Sequence, residues 1–196
     1  MSTRLLGGLA RGLVFIVSAP AGTGKTTLVQ RIVEEFSCVA TSVSFTTRPA
    51  RPGEVNGVHY HFVTEEDFAH KIAKGEFLEY VRLYGFYYGT SRTWIEEQRH
   101  QGKHVILVID TQGAMQLKGK IDATTIFVSP PSIQELERRL LMRQSESKEM
   151  IEQRVQWAHE EMRAQEHYDY RIVNDDLNIA YQALRSILIA EEHKIR

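Results

Sequence analysis

The sequence predicts an α/β fold: a parallel sheet core flanked by helices on both faces, interrupted by a small mixed-sheet insertion. Three observations predict it. Apolar runs at 13 to 17, 104 to 110, 124 to 130 and 170 to 174 have the length and composition of buried strands, and helical stretches separate them. A glycine-rich segment, "SAPAGTGKTTL" at 18 to 28, joins the first run to the first helix. Residues 45 to 90 break the rhythm with turn residues, aromatics and half-alternating segments such as "VHYHFV".

The first run, "LVFIV", ends in a segment that reads as a phosphate-binding loop. Such a loop curls backbone N–H groups around phosphate oxygens, adds a lysine charge and sends a hydroxyl to Mg²⁺. Gly22 and Gly24 permit positive φ, Lys25 is the charge and Thr26 the hydroxyl. Ala19 stands where the GxxxxGK(S/T) pattern begins with glycine, and alanine suffices if its φ stays negative. Leu28, Ile32 and Val33 then share one helical face, which aims the helix N-terminus at the anion. Further helices are expected at 92 to 101, 112 to 118, 132 to 142, 150 to 165 and about 177 to 194.

Arg4, Arg11 and "GLVFIVSAPA" imitate a secretory leader, but cleavage there would remove half the loop. No apolar run nears the ~20 residues that span a bilayer, so a soluble, cytoplasmic protein without a membrane partner is expected. The 196 residues, 42% hydrophobic, suffice for one sizeable core. Cys38, the one cysteine, precludes an intramolecular disulfide. A net charge of −1 offers no global attraction to nucleic acid, so any polyanion must be met by local arginines.

The insertion opens with "SVSFTTRPARPGEVNGVHYHF". A lone arginine on a loop reads as a solvated charge. Here Arg48 and Arg51 flank a proline-stiffened turn with Tyr60 nearby, and two planar forks on one loop suit a phosphate dianion. Glu79, read by itself, is a strand-edge surface charge. Arg139 and Arg143 lie four apart on one helix face, with Arg154 eleven further on, which alone describes a solvated charged helix.

Taken together, "SAPAGTGKTTL", "SFTTRPARPGEVNGVHYHFV", "GEFLEY", "YYGTS", "IDTQGA", "VSPPS", the "RRLLMR" to "QR" stretch and "IVNDDL" resemble, in order, the motifs of guanylate kinases from about residue 13 to 193. The resemblance implies a P-loop NTPase fold with residues 1 to 44 and 91 to 196 as the core, a GMP-binding insertion at 45 to 90 and a lid at about 143 to 150. It implies phosphoryl transfer from MgATP to GMP, and to dGMP, in purine nucleotide metabolism, with ATP and GMP as the small-molecule partners. On the GMP side it places Ser44, Arg48, Arg51, Tyr60, Glu79, Tyr88, Thr90 and Asp110. Glu79 would accept from guanine N1–H and the 2-amino group, while Ser44 and Thr90 would serve O6. On the ATP side it places Ala19, Pro20, Ala21, Gly22, Thr23, Gly24, Lys25, Thr26 and Thr27, with Asn174 at adenine and Thr26 toward Mg²⁺.

Lys25, Arg48, Arg139, Arg143 and Arg154 would carry catalysis by neutralising and orienting phosphates, since an anionic acceptor oxygen needs no general base. Two positions depart from the pattern. Gln144 replaces a glycine of the lid, and Val108 replaces an acid two residues before Asp110. Guanylate-kinase-like domains of scaffold proteins, which bind phosphopeptides, lack the intact loop seen here. A kinase for another monophosphate would not need Glu79 with Ser44 and Thr90.

Overall fold

The computed structural model describes residues 5–142 and 148–195. Arg143, Gln144 and most of the expected lid therefore lie outside the described residues. The chain runs β1 (Val14–Ser18), α1 (Lys25–Glu35), β2 (Val39–Thr41), β3 (Phe45–Thr46), β4 (His61–Phe62), α2 (Glu65–Ala73), β5 (Phe77–Leu83) and β6 (Phe86–Ser91). It continues through α3 (Arg92–His100), β7 (His104–Val108), α4 (Thr111–Leu117), β8 (Thr124–Ser129), α5 (Ile133–Met142), α6 (Lys148–Arg163), β9 (Tyr170–Val173) and α7 (Leu177–Glu192).

Five strands form a parallel sheet in the order β2-β7-β1-β8-β9. Alternation along β1 sends Phe15 and Val17 to one face, against Leu28 and Ile32 of α1 and Leu184 and Leu188 of α7. Val14 and Ile16 go to the other, against Ile95 of α3 and Ala114 and Leu117 of α4. Strands buried on both faces explain the uninterrupted apolar runs. Truncating any of these large side chains to alanine should cost about 2–5 kcal/mol. On α1 it is Val29, with Leu28 and Ile32, that is buried, whereas Val33 is only half-buried. The chain leaves β1 for β2 through α1 and leaves β7 for β8 through α4, in opposite directions across the sheet. Ligands of open α/β sheets bind beyond the strand C-termini at such a reversal.

Between β2 and β7, neighbours in this sheet, lies a second sheet of order β4-β3-β6-β5 with one parallel and two antiparallel pairings. The sequence reading has no helix here, yet α2 is present. The Thr64 hydroxyl caps it by accepting from Asp67 N–H, and Glu65, Glu66 and Asp67 complement the dipole of its first turn. Phe68 of α2 is fully buried, 4.5 Å from Phe77 and 5.3 Å from Tyr87 between ring centroids. Among the described residues no helix is long and apolar enough to cross a membrane.

At the opposite end of the parallel sheet, Glu192 closes α7 as a buried anchor. Its carboxylate accepts from Gly7 N–H and Gly8 N–H, both at 2.7 Å, and pairs with His104 Nε2. His104 Nδ1 accepts from Leu13 N–H at 3.0 Å, so its proton sits on Nε2 and is donated to Glu192. Burial pushes the Glu192 pKa up, but these donors outweigh it and hold the carboxyl below its ordinary range.

Candidate active site

The loop between β1 and α1 takes the conformation its glycines permit. Gly22 and Gly24 have φ of 92° and 87°, and Gly24 caps α1. Ala19 is buried with negative φ; among the described residues the one non-glycine with positive φ is Tyr84. Thr23 is buried, its hydroxyl donating to Pro20 O at 2.9 Å, and Lys25 Nζ reaches back to Ala19 O at 3.3 Å. Thr26 and Thr27 are exposed on the first turn of α1.

Two neighbours brace this loop. A side chain at Gly24 would meet Asn174 Nδ2 at 2.7 Å, and that amide donates to Thr23 O at 2.6 Å. Arg139 Nη1 donates to Asn174 O at 3.0 Å while its Nε pairs with Glu135 at 2.8 Å. Leu136 and Leu140 of α5 leave no room for a side chain at Gly22, so α5 fixes the loop from outside. Asn174 and Arg139 thus stand against the loop and not in the open cleft.

A cavity of about 610 Å³ opens from the loop toward the second sheet. It is lined by Ala19, Ala21 and Lys25 from the loop, by Ser44, Arg48, Arg51, Tyr60, Glu79 and Tyr88 from the insertion and its edge, and by Asp110 and Arg154. Arg48 bonds Glu54 at 2.8 Å and lies 5.4 Å from the Tyr60 ring centroid. Glu54 also accepts from Arg51 N–H at 2.7 Å, and the Arg48 hydrogen bond leads the interactions that hold its carboxyl below the ordinary range. Glu54, absent from the sequence reading, aims Arg48.

Glu79, which read by itself is a surface charge, is buried instead. Alternation along β5 puts it on the buried face with Phe77 and Val81, 5% exposed. A bulge between Phe77 and Glu79 resets the register so that Glu79 faces Thr90, which is fully buried and donates its hydroxyl proton to the carboxylate. Burial pushes the Glu79 pKa up to about 7, the Thr90 bond opposes this and Asp110 adds to it. Asp110 caps α4 by accepting from Gly113 N–H at 2.7 Å, and burial raises its pKa too.

Nor does Val108 leave Asp110 as the cavity's one acid. Glu161 of α6 lines the same space, its pKa pushed up to about 7 by burial, with Lys25 opposing and Asp110 reinforcing the shift. Arg154, Trp157 and Glu161 all line the cavity at helical spacings of i, i+3 and i+7, a face that Arg154 alone marked in the sequence. Trp157 meets Tyr84 of the β5–β6 turn at 5.4 Å, and Arg154 lies 5.5 Å from the same ring.

An anion loop at the reversal of a parallel sheet, facing a basic and acidic cleft, defines a P-loop nucleotide-binding phosphotransferase. The guanylate kinase family model matches residues 11–191. The guanylate kinase of Protochlamydia amoebophila is 62% identical over 97% of this chain and 98% of its own, and that of Vibrio parahaemolyticus 49% identical over 95% and 91%. The crystal structure of guanylate kinase from Anaplasma phagocytophilum superposes with a TM-score of 0.78 at 33% identity, covering 94% of this chain and 88% of that one. The chain belongs to the guanylate kinase family.

Proposed function

We propose that this protein transfers the γ-phosphoryl group of ATP to GMP, giving ADP and GDP, and accepts dGMP, which offers the same base and phosphate to the cleft. The observation that carries this reading is Glu79. A buried carboxylate with one side-chain donor in hand has acceptor capacity left for the two donors on the guanine edge, N1–H and the 2-amino group. Adenine carries neither, so AMP leaves the carboxylate unmet. Thr90 and Ser44 would complete the base pocket, and Arg48, Arg51, Tyr60 and Tyr88 would hold the acceptor phosphate, oriented by Glu54.

The β1–α1 loop would hold the ATP phosphates, with Ala19 to Thr27 as its frame and Asn174 and Arg139 as its braces. Lys25, Arg154 and Arg143 would neutralise the moving group, and Arg48 would align the attacking oxygen. Among the described residues no three His, Cys, Asp or Glu side chains gather as a metal cage. Mg²⁺ needs no such cage, since it keeps several waters and binds through substrate phosphates with one or two protein oxygens. Thr26, exposed at the start of α1, would supply one. Held there, Mg²⁺ would supply positive charge to offset that of the ATP phosphates.

The test is a coupled assay offering GMP, dGMP, AMP, CMP, UMP and dTMP with MgATP to the wild type and to Glu79→Gln. GMP and dGMP should be the substrates used. The variant should lose ~10²-fold in kcat/KM for GMP while AMP, already poor, changes far less. A GMP to AMP ratio that stays within about threefold of wild type, under 1 kcal/mol, would remove Glu79 as the base reader.

A further inference from the structure

Gly113 sits in the third position of α4, where glycine costs a helix up to about 1 kcal/mol relative to alanine. Its backbone gives no reason for that cost. Nine glycines among the described residues have positive φ, and Gly113 is not one of them, so any residue could adopt its conformation. The reason is space. A Cβ built on Gly113 would lie 2.8 Å from Glu79 Oε2 and 3.3 Å from its Cδ, with Ile109 Cδ1 behind it at 3.5 Å.

Whatever yields to such a Cβ, it is not the frame. α4 is fixed by the Asp110 cap and by Ala114 and Leu117 in the core, whereas the carboxylate is the end of a flexible side chain. The carboxylate would have to retreat by about 0.6 Å to reach ordinary contact. Its Oε1 is tied to Thr90, so retreat turns or breaks that bond.

We propose that Gly113 is a specificity-determining positioning residue: the missing side chain on α4 leaves the gap that seats the Glu79 carboxylate where the acceptor base meets it. The inference rests on the reading of Glu79 as the base-recognising group. It explains why a helix so short gives up a better helix former at that point. It also ties the base pocket on the second sheet to the helix that follows Asp110, so that α4 is one wall of the acceptor site.

The experiment compares Gly113→Ala with wild type for the KM of GMP, the KM of ATP and the GMP to AMP specificity ratio, beside a thermal melt. Misplacing a reading group by a fraction of an ångström should raise the KM for GMP about tenfold and lower the ratio by a similar factor. The KM for ATP should stay within twofold and Tm should change little, because the gain of alanine in the helix offsets the loss at the Thr90 bond. Glu79→Asp/Gly113→Ala should cost less than the two single changes combined, since the shorter acid vacates the contested space.

A KM for GMP within threefold of wild type in Gly113→Ala, or strictly additive costs in the double variant, overturns the proposal. If Gly113→Ala does not fold, Glu79→Ala/Gly113→Ala decides: recovery of the melt supports the clash with the carboxylate, and no recovery overturns it. Glu79→Gln separates the two readings. A specificity ratio unmoved by Glu79→Gln defeats the base-reader reading and this inference with it, whereas a ratio moved by Glu79→Gln but not by Gly113→Ala defeats this inference alone.

Discussion

Glu79 and Glu192 both expose little surface, 5% and 7%, at opposite ends of the molecule, yet their proton affinities move in opposite directions, with burial weighing more heavily on Glu79. Glu192 has two backbone N–H groups and the His104 ring N–H, and stays ionised. Glu79 has the Thr90 hydroxyl and the nearby charge of Asp110, and holds its proton to about pH 7. A carboxylate that serves the fold has its donors supplied by the fold. Glu79, on the cleft, is left with acceptor capacity that a ligand's donors could use. Glu54 shows that position in the cleft is not what decides this, for Arg48 satisfies it and its pKa falls.

The largest effect should come from the satisfied side. Glu192→Ala leaves the buried His104 N–H without its acceptor and removes the partner of the part-buried Gly7 and Gly8 N–H groups, at a cost of about 3 kcal/mol. In a chain of this size Tm should fall by roughly 6–12 °C, with kcat and both KM values unchanged at a temperature where the variant is folded. A comparable loss of activity would erase the distinction between anchor and reader.

Next, Arg48→Ala removes a fork from the acceptor side and releases Glu54. The KM for GMP should rise about 30-fold, near 2 kcal/mol, with the KM for ATP nearly constant. Equal weakening of both nucleotides would assign the second sheet to the wrong substrate.

The smallest effect, taken per pH unit, is a matter of protons. Between about pH 4.5 and 7 the unfolded chain has released the Glu79 proton and the folded one has kept it, so this group's contribution to stability is whole below that window and declines as pH rises through it. The decline should approach at most about 1.4 kcal/mol per pH unit, with Glu161 adding its own, and Glu79→Gln should flatten the Glu79 share in melts across pH. Guanine donors favour the ionised form, so GMP binding near pH 7 should expel a fraction of a proton. Calorimetry in two buffers of different ionisation enthalpy would read it, with Glu79→Gln as the control in which only the GMP phosphate titrates. Identical proton counts in the two proteins would mean that Glu79 does not ionise on binding.

What was legible in the sequence follows the same divide between local and distant. The loop from Ala19 to Thr27 is contiguous, and its chemistry depends on backbone conformation that Gly22 and Gly24 declare directly. The strand runs were legible because burial on both faces leaves no polar interruption. Strand order was not, since β2 and β7 pair across the whole insertion and β2 is three residues long. Glu79 was placed by the family resemblance and not by local pattern: its burial depends on which face of β5 turns inward, and the bulge at Phe77 shifts that register. Glu161 was hidden by a twin, for Glu160 beside it is a solvent-facing partner of Arg163 and nothing in "HEEMR" tells them apart. Glu54 carries no signal of its own in the sequence, because its role lies in the bond to Arg48.

The contact between Trp157 and Tyr84 gives the protein an optical gauge. The chain has two tryptophans, and the other, Trp94, packs into the apolar layer under α3 and away from the cleft. Indole emission depends on whether a ring or water covers it, so a Trp94→Phe variant would leave Trp157 as the sole emitter, placed at the seam between α6 and the β5–β6 turn. Any separation of those two elements during turnover would then appear as a change of intrinsic fluorescence on the μs–ms scale of enzyme closure, recorded without a dye and on the same stopped-flow trace as the chemistry.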